Sequence, residues 1–370
     1  MKKYILIAAG VVILGIAAFV AVRHYARTAG VHPATLLASS SSIPNLVPLT
    51  DFAPGEKYLG AFDGFLYDGT NTMPAAHAAD GMRFASEIQP LDVNGNPSPA
   101  GKIVVVGIGM SNWTIELCNM LPRTNQDCNP GSFIYQTEHD PTVNHTNLVI
   151  VDCAQGSQVA AKWLDDSKGN YAACVQILSS EGLSAKQVQV ILFKDADPQP
   201  KYSLASSTQC TANSAIDACI YEREVGNIAR FAKMQFPNVK QMFVHTRIYA
   251  GYATTNLNPE PFAYEYGFAN KWLVAAQIDQ IAGAPIDPVA GDLSYAVAPW
   301  IAWGPYFWAD GNSPRSDGLA WIPSDYNTAD YTHPNIANGV PKVASLMMQF
   351  YAASPFTPWF RASGHSTIKQ

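Results

Sequence analysis

The sequence has little charge and nowhere concentrates it. Lys, Arg, Asp and Glu make up 14% of 370 residues, and the formal net charge is −6. No run of five basic residues occurs, which argues against a surface that tracks phosphates, and no nucleic-acid partner is expected. The six cysteines contain no CxxC pair, which argues against a zinc ribbon. His139 and His145 flank Asp140 at a spacing that does not suit a metal site, so no metal is expected. No internal repeat is present, and Gly and Pro at 26 each exclude collagen-like and low-complexity chains. What is abundant is apolar: 48% hydrophobic residues, with 17 Tyr, 16 Phe and 8 Trp. Such a chain has room for one large domain or two small ones and can bury a sizeable core.

The N-terminus points to export. After the basic start Met1–Lys3, the run Tyr4–Val22 carries no charge, and Arg23, His24 and Arg27 close it. The run is long for a signal-peptide core and just long enough to span a bilayer. Residues 1–27 are therefore expected to be a signal peptide or membrane anchor. If uncleaved, Tyr4–Val22 makes the membrane a partner. A buried core helix is the alternative. Basic residues at both ends leave the orientation open. Residues 28–50, small, polar and Pro-containing, read as a linker, residues 51–363 as the folded domain and 364–370 as a tail. The expected location is extracytoplasmic: membrane-anchored, periplasmic or secreted. An even cysteine count in an exported chain suggests disulfides, and the sequence-local pairing is 118–128, 153–174 and 210–219. Buried free thiols are the alternative.

Four short β-branched or apolar runs read as buried parallel strands: Lys102–Gly107, Asn147–Asp152, Gln187–Phe193 and Lys240–Val244. Helical spacing covers Asn112–Leu121, Gln158–Asp166, Tyr171–Ser179, Glu222–Gln235, Pro261–Ile281 and Lys342–Tyr351. Residues 51–100 read as loop-rich, with two short strands. The alternation predicts an α/β domain with a parallel sheet in three layers, α/β/α, of flavodoxin-like type. Ligands of such sheets sit at the carboxyl ends of the strands.

The first of those ends reads Gly107-Ile108-Gly109-Met110-Ser111-Asn112. It is not a dinucleotide fingerprint, because Asn112 replaces the third glycine. It is not a G-x-S-x-G elbow, because Trp113 replaces the last glycine. What remains is a serine at a strand-to-helix junction, which serves either as a nucleophile or simply as a helix cap. Near the other end, Asp330-Tyr331-Thr332-His333-Pro334 puts a carboxylate three residues before an imidazole. A serine needs a base and the base needs a carboxylate to orient it, so Ser111, His333 and Asp330 make a candidate triad.

Gly-x-Ser-Asn followed by Asp-x-x-His-Pro resembles the SGNH/GDSL hydrolase superfamily, in its sialate O-acetylesterase-like carbohydrate esterase branch. The resemblance implies Ser111 as nucleophile, His333 as base and Asp330 as orienting partner. It implies Gly156, in the loop after the second strand, as an oxyanion donor with the Ser111 N–H. The family's Gly-x-Asn block has no match in His245–Tyr252, after the fourth strand; Arg247 there is the candidate replacement donor, or else an ordinary ion-pair residue. The segment Pro299–Ser324 holds Trp300, Trp303, Trp308 and Trp321. These rings either line a cleft and stack on sugar or pin a long loop. With Asn112 and Arg315, the last three tryptophans are the candidate substrate-binding residues.

The resulting expectation is an exported serine esterase cleaving O-acyl esters, O-acetyl on a glycan favoured, with no cofactor. The alternative is a non-catalytic extracellular domain on the same fold that binds glycan or self-assembles.

Overall fold

The computed structural model describes residues 46–119 and 128–362. The expected anchor at 1–27, most of the linker and the 364–370 tail lie outside the described residues. No helix among the described residues is long and apolar enough to cross a membrane.

A two-stranded antiparallel hairpin, β1 (Lys57–Tyr58) and β2 (Phe62–Asp63), comes first, then α1 (Ala75–Glu87). There follow β3 (Ile103–Gly109), α2 (Ser111–Leu117), α3 (Phe133–His139), β4 (Leu148–Asp152), α4 (Asn170–Ser180), β5 (Val188–Lys194), α5 (Asp217–Gln235), β6 (Gln241–Val244), α6 (Phe262–Ile281), β7 (Trp300–Trp303) and α7 (Gly339–Ala353). The main sheet has five strands in the order β4-β3-β5-β6-β7, and every pairing is parallel.

All seven residues of β3 are buried, as a central parallel strand requires. Its side chains alternate between faces. Val104, Val106 and Ile108 pack with Val225 and Ile228 of α5 and with Leu273 and Val274 of α6. Ile103 and Val105 pack with Phe133 of α3 and with Val343 and Met347 of α7. Helices thus cover both faces, which makes the three layers.

The sequence reading missed three elements. β7 reads Trp-Ile-Ala-Trp, inside the stretch taken as a loop, yet all four of its residues are buried beside β6. α1 lies in the stretch read as loop-rich. It packs through Gly81, where an added Cβ would fall 2.3 Å from the Trp300 ring. α3 had no strong periodic signal. In the other direction, the helix expected at Gln158–Asp166 is only a 3-10 turn, Ala160–Lys162. Asp166 instead accepts the N–H groups of Tyr171 and Ala172 and starts α4. α2 stops at Leu117, four residues before the expected Leu121. The domain also begins before residue 51. Leu46 and Leu49 are buried in its core, and the Leu49 N–H donates to the Tyr306 hydroxyl.

The three sequence-local disulfides are present: Cys118–Cys128, Cys153–Cys174 and Cys210–Cys219. Three such bonds are consistent with an extracellular protein.

Candidate active site

β3 ends at Gly109, and α2 starts at Ser111. The backbone here is tight: a Cβ on Gly109 would fall 1.9 Å from the Lys194 carbonyl oxygen on the neighbouring strand. That close approach sets the glycine. The first bond inside α2 runs from the Thr114 N–H to the Met110 carbonyl, so the helix does not use the Ser111 N–H.

The chain then brings residues 222 apart together. Ser111 Oγ lies 2.7 Å from His333 Nε2. His333 Nδ1 lies 2.6 Å from Asp330 Oδ2. The other Asp330 oxygen accepts the backbone N–H groups of Thr332 and His333 at 2.8 and 3.0 Å. Burial pushes the Asp330 carboxyl up, but these hydrogen bonds, including the one with the His333 ring, outweigh it and hold the carboxyl below the usual range. All three side chains are partly exposed. A serine, an imidazole and a carboxylate in one hydrogen-bonded line can pass a proton from hydroxyl to ring.

Asn112 was expected to touch substrate. It is buried instead, and its amide donates to the Thr332 carbonyl at 3.0 Å. It therefore ties the serine turn to the histidine loop. Gly156 sits in the turn after β4. The Cys153 and Gln155 N–H groups bond to the Gly107 and Gly109 carbonyls, so this segment continues alongside β3 toward Ser111. No hydrogen bond occupies the Gly156 N–H among the described residues.

Arg247 is fully buried. Among the described residues its hydrogen bond is from Nη1 to the Met110 sulfur at 3.6 Å, and Nε and Nη2 have no partner. The guanidinium lies behind the residue that precedes Ser111, and its donors are closed off from solvent. What it offers the site is charge, not an open donor. The sequence reading sought this donor after β6 as the next relevant strand. The sheet order makes β5 the neighbour of β3, with Gly109 paired to Lys194.

The aromatic cleft is a correction. Trp308 and Trp321 are fully buried and Trp303 nearly so. Their indole N–H groups donate to Glu260 Oε1, the Phe307 carbonyl and the Leu66 carbonyl. Buried indoles need such partners, and these rings have them inside the core. They pin the long loop and cannot stack on a sugar. Arg315 is also buried and holds the loop through the Tyr306 and Trp308 carbonyls and Asp317. Trp308→Phe is accordingly expected to lower unfolding stability by about 1–3 kcal/mol in urea titrations, since Glu260 loses a buried donor. KM for an ester should stay unchanged; a large rise in KM would return Trp308 to the substrate site.

His245 is buried, between the Phe193 carbonyl and the Tyr351 hydroxyl, and burial drives its pKa down to about 3. It is a neutral packing residue.

Two charged residues were not singled out from the sequence. Glu116 on α2 and Lys194 at the end of β5 are both fully buried and pair at 2.5 Å. Burial pushes the Glu116 carboxyl up and the Lys194 amine down to about 8, against their mutual attraction. A signal existed: each is a lone charge in an apolar run, Asn-Trp-Thr-Ile-Glu-Leu and Val-Gln-Val-Ile-Leu-Phe-Lys.

Beside His333 and Asp330 lies a cavity of about 640 Å³, lined in part by Ile115, Asn119, Asn129, Tyr326 and Asn327. No lysine or arginine lines it among the described residues.

No family model matches the sequence, and no curated protein matches it. Among solved structures, one described as a GDSL-like lipase from Parabacteroides merdae is similar at 11% identity and a TM-score of 0.34, covering 67% of this chain and 95% of its own. TesA is similar at 9% identity and a TM-score of 0.32, covering 68% and 99%. One described as an acylhydrolase from Bacteroides fragilis is similar at 13% identity and a TM-score of 0.34, covering 75% and 96%. These are distant likenesses, and no chemistry follows from them.

Proposed function

We propose that this protein is an exported serine ester hydrolase of SGNH type. The observation that supports it is the continuous hydrogen-bonded line Ser111–His333–Asp330. His333 Nε2 takes the hydroxyl proton as Ser111 Oγ bonds to the ester carbonyl carbon. The carbonyl oxygen becomes an oxyanion, held by the Ser111 and Gly156 N–H groups, with the buried Arg247 charge behind them. The carbon–oxygen bond to the alcohol then breaks, and His333 returns the proton to the leaving oxygen. Water, deprotonated by His333, attacks the acyl-serine; the bond from the acyl carbon to Ser111 Oγ breaks, His333 returns the proton to Oγ, and the acid leaves. Asp330 holds the ring and stabilises its charged form.

The leaving alcohol fits the cavity beside His333. Its carboxamide lining, without lysine or arginine, suits a neutral hydroxylated group such as a sugar better than an anionic one. An O-acetylated glycan is the substrate of this reading.

The test uses the full-length chain with a fluorophosphonate probe and p-nitrophenyl acetate. The expected result is turnover and one covalent adduct, located on Ser111 by peptide mass spectrometry. A folded chain that neither labels nor turns over ester removes the reading. The non-catalytic alternative then takes its place.

A further inference from the structure

Seven of the eight tryptophans are buried. The exception is Trp272 on α6, which is only half-buried. Its ring lies 5.8 Å from that of Phe62 on β2. Both rings border a cavity of about 320 Å³ that also meets α5 and the loop at 287–289. A second cavity, of about 350 Å³, adjoins it and shares Phe62, Trp272 and Asp279. None of the residues lining either cavity belongs to the Ser111 site.

The charge in the smaller cavity has one sign. Glu222, Asp279 and Asp287 line it, and among the described residues no lysine, arginine or histidine does. Glu222 is only 3% exposed and has no hydrogen-bond partner among the described residues. Its carboxyl opens on the cavity and not on a protein donor, so a group that enters is what it can bond. Asp287 is anchored by the Val289 and Ala290 N–H groups. The nearby cations have partners of their own, and among the described residues only Lys271 lines the larger, adjoining cavity. Lys271 donates to the Asp63 and Gly64 carbonyls, Lys57 pairs with Asp63, and Arg223 donates to the Ala212 carbonyl. The Cys210–Cys219 bond fixes Cys210, one wall of the cavity, to α5.

Aromatic faces with unneutralised carboxylates are the chemistry that recognises ammonium groups. A metal ion fits less well: no three His, Cys, Asp or Glu among the described residues stand close enough to hold one. We propose that this cavity binds a small organic cation, a primary or quaternary ammonium group. Its charge rests on Glu222 and Asp279, and its carbons rest on Trp272 and Phe62. This site stands independently of the hydrolase reading.

The cavity also dictates a pH dependence. Burial, and then the Asp287 charge, push the Glu222 carboxyl up to about 8. At neutral pH the empty site therefore holds Glu222 mostly protonated. The cation binds the ionised form, so affinity rises with pH by about tenfold per unit and levels off above 8.

The experiment titrates the full-length chain with choline chloride at pH 6 and pH 8.5, followed by calorimetry and tryptophan fluorescence. Saturable binding is expected, at least about tenfold tighter at pH 8.5. The neutral isostere 3,3-dimethylbutan-1-ol should bind far more weakly. Trp272→Leu should weaken binding about fivefold to thirtyfold, and Glu222→Gln should weaken it and flatten the pH dependence. The wild-type pH series needs no variant, so a misfolded variant leaves the test intact. No saturable binding at pH 8.5, equal affinity for the isostere, a flat wild-type pH series, or displacement of choline by an equal concentration of calcium would each overturn the proposal.

Discussion

Ser111→Ala is expected to abolish fluorophosphonate labelling and to lower kcat for p-nitrophenyl acetate on the order of 10⁴-fold or more. The reason is the hydrogen-bonded line itself. Without Oγ there is no atom for His333 Nε2 to deprotonate, and nothing else in the line is a nucleophile. Ser111 is partly exposed and its hydroxyl packs no core, so the melting temperature should barely move. Asp330→Asn should cost a similar factor for a different reason. The Asp330 carboxylate accepts from His333 Nδ1 and from two backbone N–H groups. An amide there presents a donor to the ring and favours the wrong tautomer, with Nε2 protonated against the serine. The two variants separate when combined: members of one catalytic unit are strongly non-additive, so the double variant should be no slower than Ser111→Ala alone. Full activity in folded Ser111→Ala would sink the mechanism.

Lys194→Met is expected to destabilise the fold by about 3–5 kcal/mol, because it leaves the Glu116 carboxyl buried and unpaired. Both side chains are fully enclosed, so water cannot replace the lost partner. The amine also lies 5.1 Å from the Phe307 ring and 5.6 Å from the Trp113 ring, contacts that methionine only partly keeps. The double variant Glu116→Gln with Lys194→Met removes both charges and should recover a large part of the loss, since desolvating the pair offsets much of its attraction. Urea unfolding of the two single variants and the double variant measures this. A cost below about 1 kcal/mol for Lys194→Met would mean that Glu116 readily takes up a proton and that the pair is not structural. The pair joins α2 to β5, so it fixes the helix that presents Ser111. Loss of activity should follow loss of stability.

The four strands read from apolar runs are in place, within a residue or two at each end, because a central parallel strand buried on both faces writes itself as continuous hydrophobicity. The disulfides were legible because each closes a short loop. The serine turn and the Asp-x-x-His loop were legible because each carries its chemistry within a few consecutive residues. The sequence by itself therefore determined the α/β class and the two halves of the candidate site, and it suggested the cysteine pairing that the structure shows.

Only the tertiary structure decided how those parts meet. It placed Ser111 within hydrogen-bond reach of His333, a contact between residues 222 apart that no local pattern encodes. It turned the Trp-rich stretch from a substrate surface into β7 and a buried staple, because composition does not say which way a ring faces. It enclosed Arg247, and it set β5 beside β3 through a strand order that sequence order does not give. The same packing left Trp272 half-exposed at a cavity that three carboxyls also line. Burial and strand order are sums over many distant contacts, and residues far apart in sequence share them only once the chain has folded.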